Sequence, residues 1–342
     1  MRRRLPVLLA LMLSTACGSE SASNGEPRNP IARSGRFGSL RDFVLIERDG
    51  VGAGLFVDRF EATQGDWQEF ARSDAGRAVA ADRVAIVGGM ALPVGGMDYV
   101  QARAFARWRC GRLPSEAEWQ FVTEGGGRSP FPWGSKEEPA RANTGDLALG
   151  ERMPVGTFES GRKAGGNAPY DLIGNVREWT ETVPFDWCQQ SGVGDRSSFR
   201  RSLRRAHGMA CLSVWGDRFG HLPGGMIVAL GGDGVPRRCV GADFETPMRD
   251  VWEHQFDTQA AGERRMRTGL RVYTTVGELL ARLVGLEGQI GANERSQLRS
   301  FVRRDGHQQA LLAAYQASPL RDLTMPAGTA GDLLVEELQR QP

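Results

Sequence analysis

Glycine constrains this chain more than any other residue, taking 45 of its 342 positions, roughly twice the usual share of about 7%. No collagen-like period and no low-complexity repeat accounts for the excess. Glycine weakens the interior of a helix or strand and makes tight, left-handed turns cheap. Such a chain is expected to form short regular elements joined by turns and irregular loops. Loops need large side chains to hold them, and the eight tryptophans supply these.

The first residues point to a compartment. Arg2, Arg3 and Arg4 precede an apolar run from Leu5 to Leu13, the charged and apolar regions of an export signal. The run falls short of the about 20 residues that a membrane-spanning helix needs. It ends in Ser14-Thr15-Ala16-Cys17, which resembles a bacterial lipoprotein signal in which the cysteine becomes the lipidated N-terminus. The usual leucine stands three before that cysteine, whereas Leu13 stands four before Cys17. Residues 18–36 are rich in Ser, Gly, Asn and Pro and suit a flexible tether. The expected place is extracytoplasmic, lipid-anchored to a bacterial membrane in the periplasm or at the cell surface.

A formal charge of +2 argues against general nucleic-acid binding, so no nucleic acid is expected as a partner. The basic cluster Arg196, Arg200, Arg201, Arg204 and Arg205 reads as a solvated helix face.

The pattern predicts strand, turn and strand over 37–63, then three short helices. The first starts after Thr63 with Trp67 and Phe70 inward. The second has Asp98 near its start and Tyr99, Ala102, Phe105, Ala106 and Trp108 inward. The third begins at the Ser-x-x-Glu pair Ser115 and Glu118. Turns and short strands follow to Gly269, and Thr268–Thr275 closes as a strand. A boundary falls at Thr275, which opens a capping box with Glu278. The domain organisation is thus 1–17 signal, 18–36 tether, 37–275 main domain and 276–342 helical, the last either packed on the main domain or serving as a partner surface.

Several chemistries are excluded by spacing. Gly50–Gly54 leads into a strand pattern, so it is no dinucleotide fingerprint. Gly156–Lys163 has Arg162 where a phosphate loop needs Lys. His207, His221, His254 and His307 show no metal-binding spacing. There is no GxSxG and no CxxC.

What is present is an ordered series: VDRFEATQGDWQEF (57–70), LPVGGMDYVQARAFARW (92–108), GRLPSEAEWQF (111–121), FPWG (131–134), PVGTF (154–158) and YDLIGNVREWTE (170–181). Together these resemble the formylglycine-generating enzyme, or sulfatase-modifying factor, family over roughly residues 40–275. The resemblance implies an α+β, loop-rich, C-type-lectin-like domain, here with a small C-terminal helical appendage. It implies a structural purpose for RLPSEAEW: Trp119 plugs the core, and Arg112 and Glu116 make polar ties.

The resemblance also implies calcium. Asp171, the carbonyls of Gly174 and Val176, and Glu178 match a family site for a hard cation, which wants about six or more oxygens. Family members carry Asn or Asp at its first position, and Asp171 fits. A second family calcium site starts at an A-N-T-like segment, matched by Asn143 and the Thr144 carbonyl, with Asp146 as the candidate acidic ligand.

The family's oxidases use a cysteine pair just before a terminal G-F-R, with copper and oxygen, to turn a substrate cysteine into formylglycine. The corresponding strand here is Gly269-Leu270-Arg271, and residues 249–268 contain no cysteine. Copper is therefore not expected, since soft Cu(I) wants thiolates, and the nearest upstream cysteine is Cys239. Besides Cys17 the chain has Cys110, Cys188, Cys211 and Cys239, which permit three pairings. Cys188 with Cys211 is favoured, because they bracket the insertion after GNVREW, leaving Cys110 with Cys239.

Three readings follow: a non-catalytic binding or scaffold lipoprotein, a divergent periplasmic enzyme of the siderophore-maturation type, or a formylglycine-generating oxidase with rearranged cysteines. The iron-dependent sulfoxide-synthase branch is disfavoured, because its N-terminal iron-binding histidine domain has no counterpart here. In the first reading the partner is a protein or glycan ligand, and Arg249, Trp252, Glu253 and His254 are its candidate contacts or ordinary surface.

Overall fold

The structure is a computed structural model and describes residues 40, 42–48, 54–125, 129–163, 168–182, 237–240, 242–246, 248, 256–259 and 262–340. Two small sheets organise it. β1 (Phe43–Ile46) and β2 (Leu55–Asp58) are, apart from Asp58, made of apolar, β-branched and aromatic residues that suit a pleated surface. They pair antiparallel, and β2 pairs in turn with β7 (Tyr273–Thr275). The second sheet has the order β5-β4-β3-β6: β3 is Arg177–Trp179, β4 is Arg237–Val240, β5 is Phe256–Gln259 and β6 is Thr268–Gly269. β3 and β6 run parallel; the other pairs are antiparallel. Leu270, Arg271 and Val272 carry the chain from one sheet to the other, the Val272 carbonyl accepting from the Asp58 N–H at 2.9 Å and that of Leu270 from the Ala62 N–H at 2.9 Å.

The helices begin where the capping residues stand. α1 (Gln64–Arg72) starts at Thr63 with Asp66, and α3 (Tyr99–Trp108) starts at Asp98 with Gln101. α4 (Glu116–Thr123) starts at Ser115 with Glu118. In each, the cap side chain takes an N–H of the first turn and the third residue answers, satisfying two donors. A short α2 (Asp74–Ala78) links α1 to the rest. Trp67 stacks on Phe105 and Phe70 meets both edge-on, at ring separations of 5.2 to 5.5 Å in the core. Trp119 is fully buried beside Val57, Leu172 and Tyr273, as the RLPSEAEW resemblance implied. Trp108, expected inward, is only partly buried at the end of α3.

The last strand runs without a break into α5 (Val276–Val284), capped by Thr275 with Glu278. α6 (Ala292–Val302), α7 (His307–Gln316) and α8 (Ala330–Gln339) follow. These helices are packed, not pendant. Leu279, Leu280, Leu283, Phe301 and Leu334 belong to the same apolar cluster as Phe43, Phe56, Trp67 and Phe105. Each such side chain contributes about 2 kcal/mol by leaving water. On α8, the buried Glu337 gathers Arg299, Arg303 and Arg340 at 3.1, 2.8 and 3.2 Å. No helix among the described residues is long and apolar enough to cross a membrane.

Candidate functional site

The loop before β3 coils because three residues in it take left-handed backbone angles: Asp171, Gly174 and Asn175, with φ of 51°, 86° and 64°. Glycine adopts this region freely, and Asp and Asn tolerate it best among the rest. At Gly174 the requirement is double, since a Cβ there would meet the Asn143 carbonyl oxygen at 2.4 Å. That close approach lets the Asn175 N–H reach the same oxygen at 2.8 Å.

Arg271, fully buried, sits under this loop. Its Nε donates to Glu178 Oε1 at 2.8 Å. Nη1 donates to the carbonyls of Asp58 and Arg59 at 3.1 and 3.2 Å, and Nη2 to those of Tyr170 and Asp171 at 2.8 and 3.3 Å. The planar fork of a guanidinium suits such divided recognition. One cation thus ties β2, the 170–178 loop and the strand crossover together.

Three carboxylates surround this single guanidinium. Glu61 is fully buried and accepts from Asn175 Nδ2 at 2.7 Å and from the Val176 N–H at 3.2 Å. Asp171 Oδ2 accepts from the Gly156 N–H at 2.7 Å. Burial pushes all three acids up, because desolvation penalises the charged form. Glu61 rises well above the carboxylate range, with the Asp171 charge adding to burial. Asp171 rises to about 6, burial outweighing the Gly156 bond and Arg271. Glu178 rises too, burial outweighing its pairing with Arg271. Negative charge is in excess here, and Glu178 Oε2 and Asn143 Oδ1 are buried without a hydrogen-bond partner. Buried oxygens of that kind are costly unless a donor or cation meets them.

The two expected calcium loops prove to be laced together. Asn143 Nδ2 donates to Asn175 Oδ1 at 3.1 Å and to the Glu151 carbonyl at 2.9 Å. Thr144 is buried, with its hydroxyl 3.4 Å from Asp146 Oδ2. Asp146 also accepts from the Met248 N–H, which ties it to another segment. Among the described residues no three His, Cys, Asp or Glu side chains are grouped to hold a metal ion by themselves. A hard cation here would need the carbonyls of Gly174 and Val176 beside Asp171 and Glu178, and the partnerless Glu178 Oε2 is an oxygen of the kind it takes. Glu61, Asn175 and Arg271 carry no local mark of this role in the sequence. Each lies in a quoted or compared motif, but its partners are far along the chain.

The cysteines differ in part from expectation. Cys110 is buried and disulfide-bonded. Its partner is not Cys239, which stands fully buried in β4 opposite Trp179 and keeps a thiol. Cys17, Cys188, Cys211, Arg249, Trp252, Glu253 and His254, together with the arginines of 196–205, lie outside the described residues.

The sulfatase-modifying factor enzyme 1-like domain family matches residues 38–275, the stretch that carries both sheets and the Arg271 junction. The chain belongs to that family. It is similar to a formylglycine-generating enzyme of Mycobacterium tuberculosis (strain ATCC 25618 / H37Rv), 43% identical over 103 residues, which are 26% of this chain and 33% of that protein. It is also similar to the inactive C-alpha-formylglycine-generating enzyme 2 of Bos taurus, 38% identical over 100 residues, 26% of this chain and 32% of that protein. These matches span about a third of the length of the curated relatives. A solved structure of PvdO from Pseudomonas aeruginosa aligns over 68% of this chain and 90% of its own, at 18% identity and a TM-score of 0.44.

Proposed function

We propose that this chain is an extracytoplasmic lipoprotein, anchored through Cys17, whose family domain has lost the copper-thiol oxidase chemistry and serves as a lectin-like binding or scaffold module for a protein or glycan ligand. One observation carries this reading. The segment 249–268, before Gly269, holds no cysteine, and Cys239, the cysteine in the same sheet as Gly269, is fully buried in the apolar core. Thiolate chemistry needs a sulfur that is ionised and reachable. Among the described residues no reachable thiolate pair is present to hold copper.

Calcium fits better. Asp171, Glu178 and the carbonyls of Gly174 and Val176 would hold it, and it would supply charge balance and loop closure rather than catalysis. Asn143 and Thr144 belong to the same laced unit and would respond to it.

The test offers purified protein, loaded with Cu(I) in air, a peptide bearing the sulfatase Cys-x-Pro-x-Arg motif, and follows the mass loss of cysteine-to-formylglycine conversion. No conversion is expected. Conversion abolished by Cys239→Ser would establish the oxidase reading instead, and conversion that survives it would overturn the thiol argument. Mass spectrometry of the mature N-terminus tests the anchor: an acylated Cys17 is expected, and an unmodified one overturns it.

A further inference from the structure

A polar recess of about 210 Å³ opens beside the β3–β6 pair, lined by Arg177, Asp243, Glu245, Thr246, Arg265, Arg267 and Thr268. Its floor is held rigidly. Arg177 Nε meets Asp243 Oδ2 at 3.1 Å, Arg177 Nη2 donates to Thr246 Oγ1 at 3.2 Å, and Thr246 Oγ1 donates to Asp243 Oδ1 at 3.0 Å. Asp243 and Thr246 are buried, so this frame keeps its shape.

The rim is different. Arg265 pairs with Glu263, and Arg267 with Glu245; all four side chains are more than a third exposed. Exposed ion pairs are weak, so a competing anion displaces them cheaply. The floor charges balance, Arg177 against Asp243, and Arg267 leans toward the recess, 3.9 Å from Asp243 Oδ2. Guanidinium forks match the geometry of carboxylate and phosphate oxygens. Glu245, at the tip of the 243–246 turn, therefore places a carboxylate where an oxyanion would sit. The volume suits one small anionic group.

We propose that this recess is an oxyanion site, taking a free inorganic oxyanion or an acidic side chain, with Arg267 exchanging Glu245 for the ligand and Arg265 and Arg177 adding charge. The site stands whether or not thiol chemistry has been lost, since none of its groups is a thiol.

The experiment is calorimetric titration of the full chain, at constant ionic strength, with inorganic phosphate and separately with N-acetylglutamate amide. Saturable binding of at least one probe is expected, the phosphate arm marking a free oxyanion and the amide arm an acidic side chain. Arg267→Ala should weaken it by about tenfold. Glu245→Gln should tighten it by about threefold, because the weak exposed pair no longer competes. A merely structural role for Glu245 gives no such gain. Absence of saturation with both probes, or unchanged or weaker binding in Glu245→Gln, overturns the site.

Discussion

The Arg112 guanidinium lies 3.1 Å from the Glu278 carboxylate, joining the loop before α4 to the first turn of α5. The same guanidinium donates twice to Glu118 at 2.7 Å. Glu118 and Glu278 are the answering residues of two capping boxes, so one cation locks two helix starts. Burial pushes Glu118 up, but the charge and hydrogen bonds of Arg112 more than offset it and hold the acid below its usual range. Through this contact the RLPSEAEW segment fastens the family domain to the helices that follow it.

Arg112→Ala should therefore destabilise the chain by about 3 kcal/mol, because it leaves Glu118 largely buried and uncompensated. Glu278→Ala should cost less, about 1 kcal/mol, since that carboxylate is 42% exposed. Urea unfolding followed by far-UV dichroism measures both. A single transition is expected, and a separate early loss of helix signal would show that α5–α8 are not part of the common core.

Arg271→Ala should be worse, with a loss of about 3–5 kcal/mol. It strands Glu178 and four main-chain carbonyls at once. Arg271→Lys should recover little, since three donors on a flexible stem cannot reproduce the fork. Soluble yield and denaturation midpoints decide it.

The raised acids set a pH dependence in chelator. Asp171, moved up to about 6, binds its proton more tightly when folded. It contributes stability that is present below the ordinary aspartate pKa of about 4 and lost as pH rises through about 6. The melting temperature of Asp171→Asn, compared with wild type, should gain steadily over that window. At neutral pH, millimolar calcium should raise the wild-type melting temperature, and Asp171→Ala or Glu178→Ala should erase most of that rise. Indifference of metal-free wild type to calcium counts against the site.

His307 acts with the opposite sign. It is buried between Phe56 and Phe301, its Nδ1 on the Phe301 carbonyl at 2.9 Å and its Nε2 without a partner. Burial, and then the nearby Arg304, lower its pKa to about 4, with the Phe301 carbonyl and Asp305 opposing. The unfolded chain therefore takes up the proton first, and stability falls as pH drops from about 6.5 toward 4. His307→Leu should flatten that part of the melting profile, and an unchanged slope would locate the acid sensitivity elsewhere.

The amino-acid sequence by itself determined whatever rests on neighbours along the chain. The capping pairs at Ser115, Thr275, Thr63 and Asp98 lie three residues apart, and the apolar runs of β1 and β2 lie within single strands, so pattern alone located them. The coil at Asp171–Asn175 is built from Asp, Gly and Asn, the residues that accept left-handed angles, but in the sequence only the family resemblance marked it. Only the tertiary structure decided which of these pieces share a charge. Glu178 and Arg271 are 93 residues apart, and Glu61 and Asn175 are 114 apart. Nothing local marks such pairs, because a carboxylate on the surface and one sealed under Arg271 are spelled alike. The common core of α5–α8 with Phe43 and Phe56 was likewise open in the sequence, where an amphipathic helix shows that it has a buried face but not what covers it. Burial turns a permitted contact into an obligatory one, and burial is a property of the assembled fold.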